Sequence, residues 1–380
     1  MKIGILTLPL YTNYGGILQA YALQTVLERM GHEVVEIEEK IEYRPIHHSF
    51  IKKMMLLCKG IVWRYIFQKN RPLFPERHFN KHILPNLWKI TQHTEKFINS
   101  HVHRVLLSKY EDSANLNLDA IIVGSDQIWR PKYIKINLKN AYLAFARQWT
   151  VKRIAYAASF GTDVWEYTAA QTDLCKNLLA KFDAVSVREF SGVEFCRKYF
   201  NRNDVVQLID PTLLLSKQDY LPLLVRYNQS SPGKMMVYVL DKDVRKQSFI
   251  SRASKMYGLE AFSTNSNVEN GQAPIEERIQ PPLEQWLKGF DDAELIITDS
   301  YHACIFSIIF RKPFYVIANK ERGNDRLRTL LSLVGLENRI IDEDSLVVPQ
   351  YLDPIDYNLV YEKLSSAKEK SLDFLRGNLL

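Results

Sequence analysis

The chain has few cysteines, and none of them is paired in sequence. Cys58, Cys175, Cys196 and Cys304 lie far apart, and no two of them form a C-x-x-C motif. This argues against a disulfide framework and a zinc site, and it is typical of proteins in a reducing compartment. Low-complexity tracts are also absent from the 380 residues, 46% of which are hydrophobic. Such a composition indicates globular domains.

Segments that would direct the chain across a membrane are missing as well. No uncharged apolar run of about 18 residues occurs, so no transmembrane helix is predicted. Met1-Lys2 leads directly into a strand pattern, without the apolar core and cleavage site of a signal peptide. A cytoplasmic location is therefore expected.

Acidic residues are scarce in one segment, residues 44–104. It holds 12 Lys and Arg against 2 acidic residues, a net charge of +10 in a chain of net charge +7. Residues 50–68 within it mix apolar and basic side chains in a helical pattern. The segment is either a helical insertion with a solvated basic face, or an amphipathic surface that meets anionic lipid or a lipid-linked pyrophosphate at the inner face of a membrane. Nucleic acid is not expected, because stacking platforms are lacking.

Elsewhere the chain alternates short apolar strands with amphipathic helices, which is the pattern of a parallel α/β sheet. Strands are predicted at 2–8, 33–37, 119–123, 153–159, 184–187 and 205–209, and again at 235–240, 259–262, 295–298 and 314–317. A chain of this length is too long for one core. The predicted fold is therefore α/β, with two Rossmann-like domains facing across a cleft. Residues 1–215, with the insertion and the C-terminal helix 355–380, form the first domain, and residues 216–354 form the second.

Polar residues follow the predicted strands of the first domain, at the sheet edge where ligands bind in open α/β proteins. The candidates there are Asn13, Gly15, Gly16, Ser125, Asp126 and Arg188. Gly15-Gly16 precedes a helix as in a phosphate-binding turn, but no G-x-G-x-x-G fingerprint completes it. Close packing is therefore the competing interpretation. Arg188 is either a surface ion pair or part of a site.

The densest candidate site lies in the second domain, at residues 294–328. Strand 295–298 leads through Asp299 and Ser300 to His302 at a helix N-terminus, where free N–H groups suit an anion. Asp299 is predicted to cap this helix. The next strand is followed by three cations, Lys320, Arg322 and Arg326. Together these residues predict a phosphate or carboxylate site.

Several of these motifs, taken in order, resemble the polysaccharide pyruvyl transferase family. They are Thr12-Asn13-Tyr14-Gly15-Gly16, Val123-Gly124-Ser125-Asp126-Gln127-Ile128-Trp129, Ala184-Val185-Ser186-Val187-Arg188-Glu189, Asp210-Pro211-Thr212 and Thr298-Asp299-Ser300-Tyr301-His302. The resemblance does not include residues 31–118.

The resemblance implies a fold similar to the type B glycosyltransferase arrangement. It also implies transfer of pyruvyl from phosphoenolpyruvate onto two hydroxyls of a sugar, forming a cyclic ketal on a cell-surface polysaccharide or its lipid-linked precursor. Arg188, His302 and Lys320 match the family's donor residues, and Arg322 and Arg326 are alternatives to Lys320. Neither a cofactor nor a metal is expected, since cations take the metal's place.

The residues allow a chemistry for this transfer. His302 could protonate the enol carbon or contact phosphate, and Asp126 or Asp299 could accept the hydroxyl proton. His302→Ala and Arg188→Ala are expected to abolish transfer and leave thermal stability nearly intact. A glycosyltransferase using a nucleotide sugar is one alternative, although no uridine pocket is evident. A non-catalytic sugar-binding protein is the other, although it would be expected to lack one of the donor residues.

Overall fold

The computed structural model describes residues 1–40, 45, 47, 49–65, 74–134, 137–319 and 322–379, with backbone alone for 60–65, 75, 78 and 82. The described strands form two parallel sheets, one of seven and one of five strands. Parallel strands are buried on both faces, which explains why many of them are uninterrupted apolar runs. Two parallel α/β units confirm the predicted fold class.

The first sheet has the strand order β3-β2-β1-β4-β5-β6-β7. Its strands are β1 (Lys2–Leu6), β2 (Glu33–Glu39), β3 (Arg104–Leu107), β4 (Ala120–Val123), β5 (Lys152–Ala158), β6 (Ala184–Val187) and β7 (Val206–Gln207). The helices of this part are α1 (Tyr14–Arg29), α2 (Phe50–Tyr65), α3 (Pro75–His78), α4 (Leu87–His101), α5 (Ala169–Leu179), α6 (Phe190–Phe200) and α7 (Lys217–Tyr220). A short 3₁₀ turn, Pro211–Leu214, follows β7.

The second sheet has the order β12-β11-β10-β8-β9. Its strands are β8 (Met235–Tyr238), β9 (Ala261–Ser263), β10 (Leu295–Thr298), β11 (Phe314–Ile317) and β12 (Ile340–Ile341). The remaining helices are α8 (Val244–Tyr257), α9 (Ile275–Arg278), α10 (Leu283–Asp292), α11 (Tyr301–Ile309), α12 (Asp325–Val334) and α13 (Tyr357–Leu379).

The two units share one apolar core. Leu18 of α1 belongs to the same buried cluster as Trp286 of α10 and Phe306 of α11. The last helix, α13, contacts both sides. Its Ser371 Oγ accepts a hydrogen bond from Ile209 N at 3.4 Å, while Tyr361 donates to Ile309 O at 3.2 Å. The boundary at residue 215 stays a prediction, since the strands show only that it falls between β7 and β8.

The basic segment 44–104 differs in part from its prediction. Helix α2 is described as far as Tyr65, so residues 66–68 of the predicted helix lie outside the described residues. Helix α4 buries Ile90, Phe97 and Ile98, and the segment ends in an edge strand, β3, that was not predicted. Within the described ranges, no helix is both long enough and apolar enough to span a bilayer.

Candidate functional site

A cleft of about 920 Å³ separates the strand ends of the two sheets. Both domains line it. The predicted residues among its lining are Asn13, Gly15, Asp126, Ser300, His302, Arg322 and Arg326. Gly16, Ser125 and Arg188 lie behind this wall, and Lys320 lies outside the described residues.

Helix α11 places His302 at the cleft wall. Its N-cap is Ser300, whose hydroxyl accepts a hydrogen bond from Ala303 N at 3.4 Å. The prediction that Asp299 caps this helix is therefore wrong. The Asp299 carboxylate instead accepts from Leu240 N at 2.7 Å and pairs with Lys246 at 2.9 Å. It fixes the loop after β8, and its charge is already compensated by Lys246.

The His302 imidazole is enclosed by residues of the first domain. A Cβ built on Gly15 would lie 2.1 Å from His302 Nδ1, so only glycine permits this approach. His302 Nε2 lies 3.4 Å from an Asp210 carboxylate oxygen, at ion-pair distance, although it makes no hydrogen bond there. Gly15 thus acts as a packing residue, while Gly16 faces Asn13, whose Nδ2 a Cβ would meet at 3.1 Å.

A buried ion network lies directly beneath His302. Arg188 donates to Asp210 at 2.5 Å and to Asp126 at 3.5 Å, and the Ser125 hydroxyl donates to Asp210 at 3.1 Å. Burial alone would raise the pKa of Asp210, but the nearby His302 and Arg188 outweigh it and hold that pKa well below its ordinary value. Asp210 is therefore a fixed negative charge shared by Arg188 and His302.

Arg188 occupies a different environment from the one predicted. It is 2% exposed, and its guanidinium lies 4.3 Å from the Tyr301 ring centroid, between that ring and the two carboxylates. Its charge is already neutralised, and neither a surface ion pair nor an open binding group describes it. Direct contact of Arg188 with a ligand stays a prediction.

Asp126 sits at the carboxyl end of β4 with a strained backbone. Its φ of +66° lies in the left-handed region, which non-glycine residues seldom adopt and which is common at functional sites. Its side chain accepts from Asn13 Nδ2 at 3.1 Å. Burial raises the pKa of Asp126, but the nearby His302, Arg188 and Arg326 lower it by a larger amount. The pKa of Asp126 is therefore below its ordinary value. Asp126 is therefore ionised at neutral pH.

The two described cations of the 294–328 stretch differ in their partners. Arg322 donates to both Asp241 oxygens, at 2.6 and 2.8 Å, and to Glu269 at 2.7 Å. Arg326 is 6% exposed, and no carboxylate among the described residues pairs with it. Its Nε is buried without a hydrogen-bond partner there. Burial, followed by the charge of Arg188, lowers the pKa of Arg326 to about 10. Its Nη2 donates to Arg322 O at 3.0 Å, and the charges of Asp126 and Glu189 act on it without forming an ion pair. Of the two cations, Arg326 is therefore the one without an ion-pair partner among the described residues.

Two sets of contacts join the domains at the sides of the cleft. On one side, Gln280 Nε2 donates to Thr12 O at 3.1 Å, and the Tyr14 hydroxyl donates to Pro281 O at 2.6 Å. On the other side, the Ser191 hydroxyl donates to Asp325 at 2.6 Å. The structure thus holds the domains together around the cleft.

Sequence reasoning gave no site role to Asp210, Tyr301 or Gln280. Asp210 carries a signal that could have identified it, since it follows a strand on the same edge as Arg188. Gln280 lies in a loop whose sequence has no recognisable motif, and Tyr301 is identified from sequence only as a member of the Thr298–His302 motif. Their roles depend on how the two domains meet, which no local pattern encodes.

The chain is similar to one family of known proteins and, more weakly, to several solved structures. A family model described as polysaccharide pyruvyl transferase matches residues 13–321. A search of curated proteins found no match. Among solved structures, UGT89C1 of Arabidopsis thaliana complexed with UDP-L-rhamnose is 9% identical, with 98% of each chain covered and a TM-score of 0.49. UDP-N-acetylglucosamine 2-epimerase from Rickettsia bellii is 12% identical, with 99% of this chain and 96% of that chain covered and a TM-score of 0.48. Likeness at this level says nothing about a substrate.

Proposed function

Because the chain belongs to the polysaccharide pyruvyl transferase family, we propose that it moves the pyruvyl group of phosphoenolpyruvate onto two hydroxyls of one sugar. The product is a cyclic ketal, and inorganic phosphate is released. The acceptor is a sugar of a surface polysaccharide or of its lipid-linked precursor. No cofactor or metal takes part in the proposed reaction.

One observation carries this proposal: Arg326 lines the same cleft as His302, and it has no carboxylate partner at ion-pair distance among the described residues. A buried guanidinium without an ion-pair partner is costly unless an anion neutralises its charge. Arg binds phosphate and carboxylate oxygens through paired N–H groups. The proposed donor anion binds Arg326, whose guanidinium lies 5.3 Å from the ring centroid of Tyr301 in the first turn of α11, where free N–H groups also favour an anion.

The reaction needs two bond-forming steps. In the first, one sugar hydroxyl adds to the enol carbon that bears the phosphate, and the methylene carbon gains a proton and becomes a methyl group. In the second, the other hydroxyl attacks the same carbon, the bond to the phosphate oxygen breaks, and phosphate leaves. In the first step His302 supplies the proton to the methylene carbon, and the ionised Asp126 accepts the proton of the first hydroxyl. In the second step the proton of the other hydroxyl passes to the His302 imidazole, which is then neutral, and the departing phosphate takes up the proton held by Asp126.

The cleft also has room for a sugar beside the donor. Tyr238 lines it, together with the amide side chains Asn265, Asn267 and Gln280. Aromatic rings can cover the apolar face of a sugar, while amides both donate hydrogen bonds to hydroxyls and accept them. A pocket with this lining favours a carbohydrate acceptor.

The test measures phosphate release from phosphoenolpyruvate with a panel of free and lipid-linked sugars, and mass spectrometry of the product. Arg326→Gln should raise the KM for phosphoenolpyruvate at least about tenfold, because a charge-assisted contact is lost. Arg328→Gln is the matched control, since Arg328 is exposed on the same helix. Release of a nucleotide from a nucleotide sugar, without phosphate release, would support the glycosyltransferase alternative. Sugar binding without turnover would support a binding protein.

We further propose that the basic segment 44–104 contacts an anionic membrane surface. Phe50 and Ile51 of α2 are 78% and 72% exposed. A groove of about 610 Å³ beside them is lined by Phe50, Met54, Leu56, Leu57 and Phe74, and Lys53, Arg77 and Lys81 lie around it together with Glu76 and Asn80. Exposed apolar side chains surrounded by cations suit the boundary between lipid headgroups and acyl chains.

Sedimentation with vesicles tests this surface. The protein should bind vesicles rich in phosphatidylserine at low salt and bind more weakly as salt rises. Ile51→Ser combined with Met55→Ser should reduce binding, and Val244→Ser, which alters an apolar residue that is 81% exposed in the second domain, should not. Equal binding to neutral vesicles, or none to anionic ones, would leave only a solvated basic face.

A further inference from the structure

A second uncompensated cation lines the cleft, and the donor does not account for it. Arg278 ends helix α9, and its Nε is buried without a hydrogen-bond partner among the described residues. Its neighbour Glu277 faces elsewhere and accepts from Asn267 Nδ2 at 3.1 Å. In the described ranges, no carboxylate lies within ion-pair distance of Arg278. Arg278 therefore resembles Arg326 in having no ion-pair partner among the described residues, although its side chain is half-buried and that of Arg326 is buried.

Arg278 and Arg326 lie at opposite sides of the cleft. The segment after Arg278 is joined to the end of β1, where Gln280 donates to Thr12 O at 3.1 Å. The segment that carries Arg326 is joined to the end of β6, through the Ser191 contact with Asp325. In the first sheet, β1 and β6 are three strand spacings apart, which is about 14 Å. Anchors this far apart favour two separate anion sites over a single one.

The surroundings of Arg278 suit an acceptor rather than a second donor. The Trp286 indole N–H is also buried without a partner among the described residues, and Trp286 lines the same cleft. Lys132 and Lys242 line the cleft as well, and neither forms an ion pair within the described part of the chain. Several cations around one pocket favour a multiply charged ligand group, such as a phosphate or diphosphate, over a single carboxylate.

From these observations we infer that Arg278 binds a phosphate or diphosphate group carried by the acceptor sugar. The sugar itself lies between this group and the donor at Arg326. The identification of the ligand as an acceptor sugar rests on the proposed pyruvyl transfer. The anion site at Arg278 does not depend on that proposed function. Helix α4 of the basic segment packs against α9. An acceptor whose phosphate is linked to a lipid would therefore leave the cleft beside the segment proposed to meet the membrane.

Calorimetric titration with inorganic pyrophosphate tests the site on the intact protein. Saturating phosphoenolpyruvate occupies the donor side, and the wild-type protein should still bind pyrophosphate. Arg278→Gln should weaken that binding at least about tenfold, as expected for the loss of a charge-assisted contact. Lys255→Gln, which removes an exposed charge outside the cleft lining, should leave it unchanged. Absence of pyrophosphate binding, or equal binding by Arg278→Gln, would overturn the inference.

A second experiment distinguishes failure of this inference from failure of the proposed function. In the Arg326→Gln variant the donor side is impaired, so pyrophosphate binding without phosphoenolpyruvate reports on Arg278 alone. If no phosphoenolpyruvate turnover is found but this binding depends on Arg278, the proposed function fails and the anion site stands. If turnover is found, Arg278→Gln should lower kcat/KM for a sugar 1-phosphate acceptor and not for the unphosphorylated sugar. Equal losses for both acceptors would refute the phosphate contact.

Discussion

The contact between Gly15 and His302 offers the sharpest test of the site. Gly15 is the second residue of α1, and it belongs to the first domain, whereas His302 belongs to the second. A Cβ at Gly15 would lie 2.1 Å from His302 Nδ1 and 2.2 Å from His302 Cγ. Gly15→Ala therefore adds one methyl group at the place where the proposed catalytic imidazole meets the opposite domain.

Two effects of this substitution oppose each other. Alanine favours a helix over glycine by up to about 1 kcal/mol, so local propensity predicts a stabilised α1. Ordinary van der Waals contact begins at 3.4 Å, so the ring must retreat by about 1.3 Å, or the domains must separate by a similar distance. A misplacement of about 1 Å costs roughly 100-fold in rate, which corresponds to about 2.7 kcal/mol in the barrier. The steric effect should dominate activity.

The measurements are turnover of phosphoenolpyruvate and thermal unfolding of the same preparation. We expect kcat to fall about 100-fold while the melting temperature changes by only a few degrees, because each domain retains its own sheet. Gly271→Ala is the control, since a Cβ there meets nothing within 4 Å and its backbone is not left-handed. Wild-type turnover by Gly15→Ala would show that His302 does not lie against Gly15 during the reaction.

Two further predictions concern buried charges. Arg188→Ala should lower the free energy of unfolding by roughly 3–5 kcal/mol, because Asp210 and Asp126 lose their buried cation. This value replaces the sequence-based expectation that stability stays nearly intact. An unchanged midpoint of urea unfolding would contradict it. Burial raises the pKa of Glu36 to about 8 from 4.5, so the folded protein retains a proton that the unfolded chain releases, and stability should fall as pH rises from about 4.5 to about 8. In Glu36→Gln the side-chain oxygen can still accept a hydrogen bond from Thr7, but the side chain no longer titrates. As pH rises through this range, the melting temperature of the variant should therefore increase relative to that of the wild type. Parallel pH profiles of the two proteins would refute the raised pKa of Glu36.

The elements nearest the site could be predicted from sequence with correct bounds. Strands β6, β10 and β11 begin and end where their patterns predict. Helical patterns over residues 244–257 and 325–334 likewise predict α8 and α12 with the bounds that the structure has. The reason is local: each strand is a short apolar run with polar residues at its end, and α8 and α12 each have a glycine in the left-handed conformation directly after the last residue. The placement of Asp126 and His302 at the cleft follows from these bounds and from the parallel sheets.

What sequence could not provide is the pairing of side chains that lie far apart along the chain. Arg188 was expected to face a ligand, yet Asp210, Asp126 and the Tyr301 ring enclose it. Arg322 and Arg326 are equivalent in sequence, and only the structure shows that Asp241 and Glu269 neutralise the first of them. Such differences arise from contacts across long stretches of chain, whereas residue type and spacing describe only neighbours along it.

The enclosure of His302 by first-domain residues has a consequence for how the site works. Asp210 and Gly15 come from the first domain, and they contact the imidazole only while the domains are together. Arg188 stacks on Tyr301 across the same boundary. If the domains separated, water would reach Asp210 and Arg188, and His302 would lose its carboxylate neighbour. The His302 imidazole and its fixed negative neighbour Asp210 therefore meet only because the two domains are in contact, and the same contact shields both side chains from bulk water.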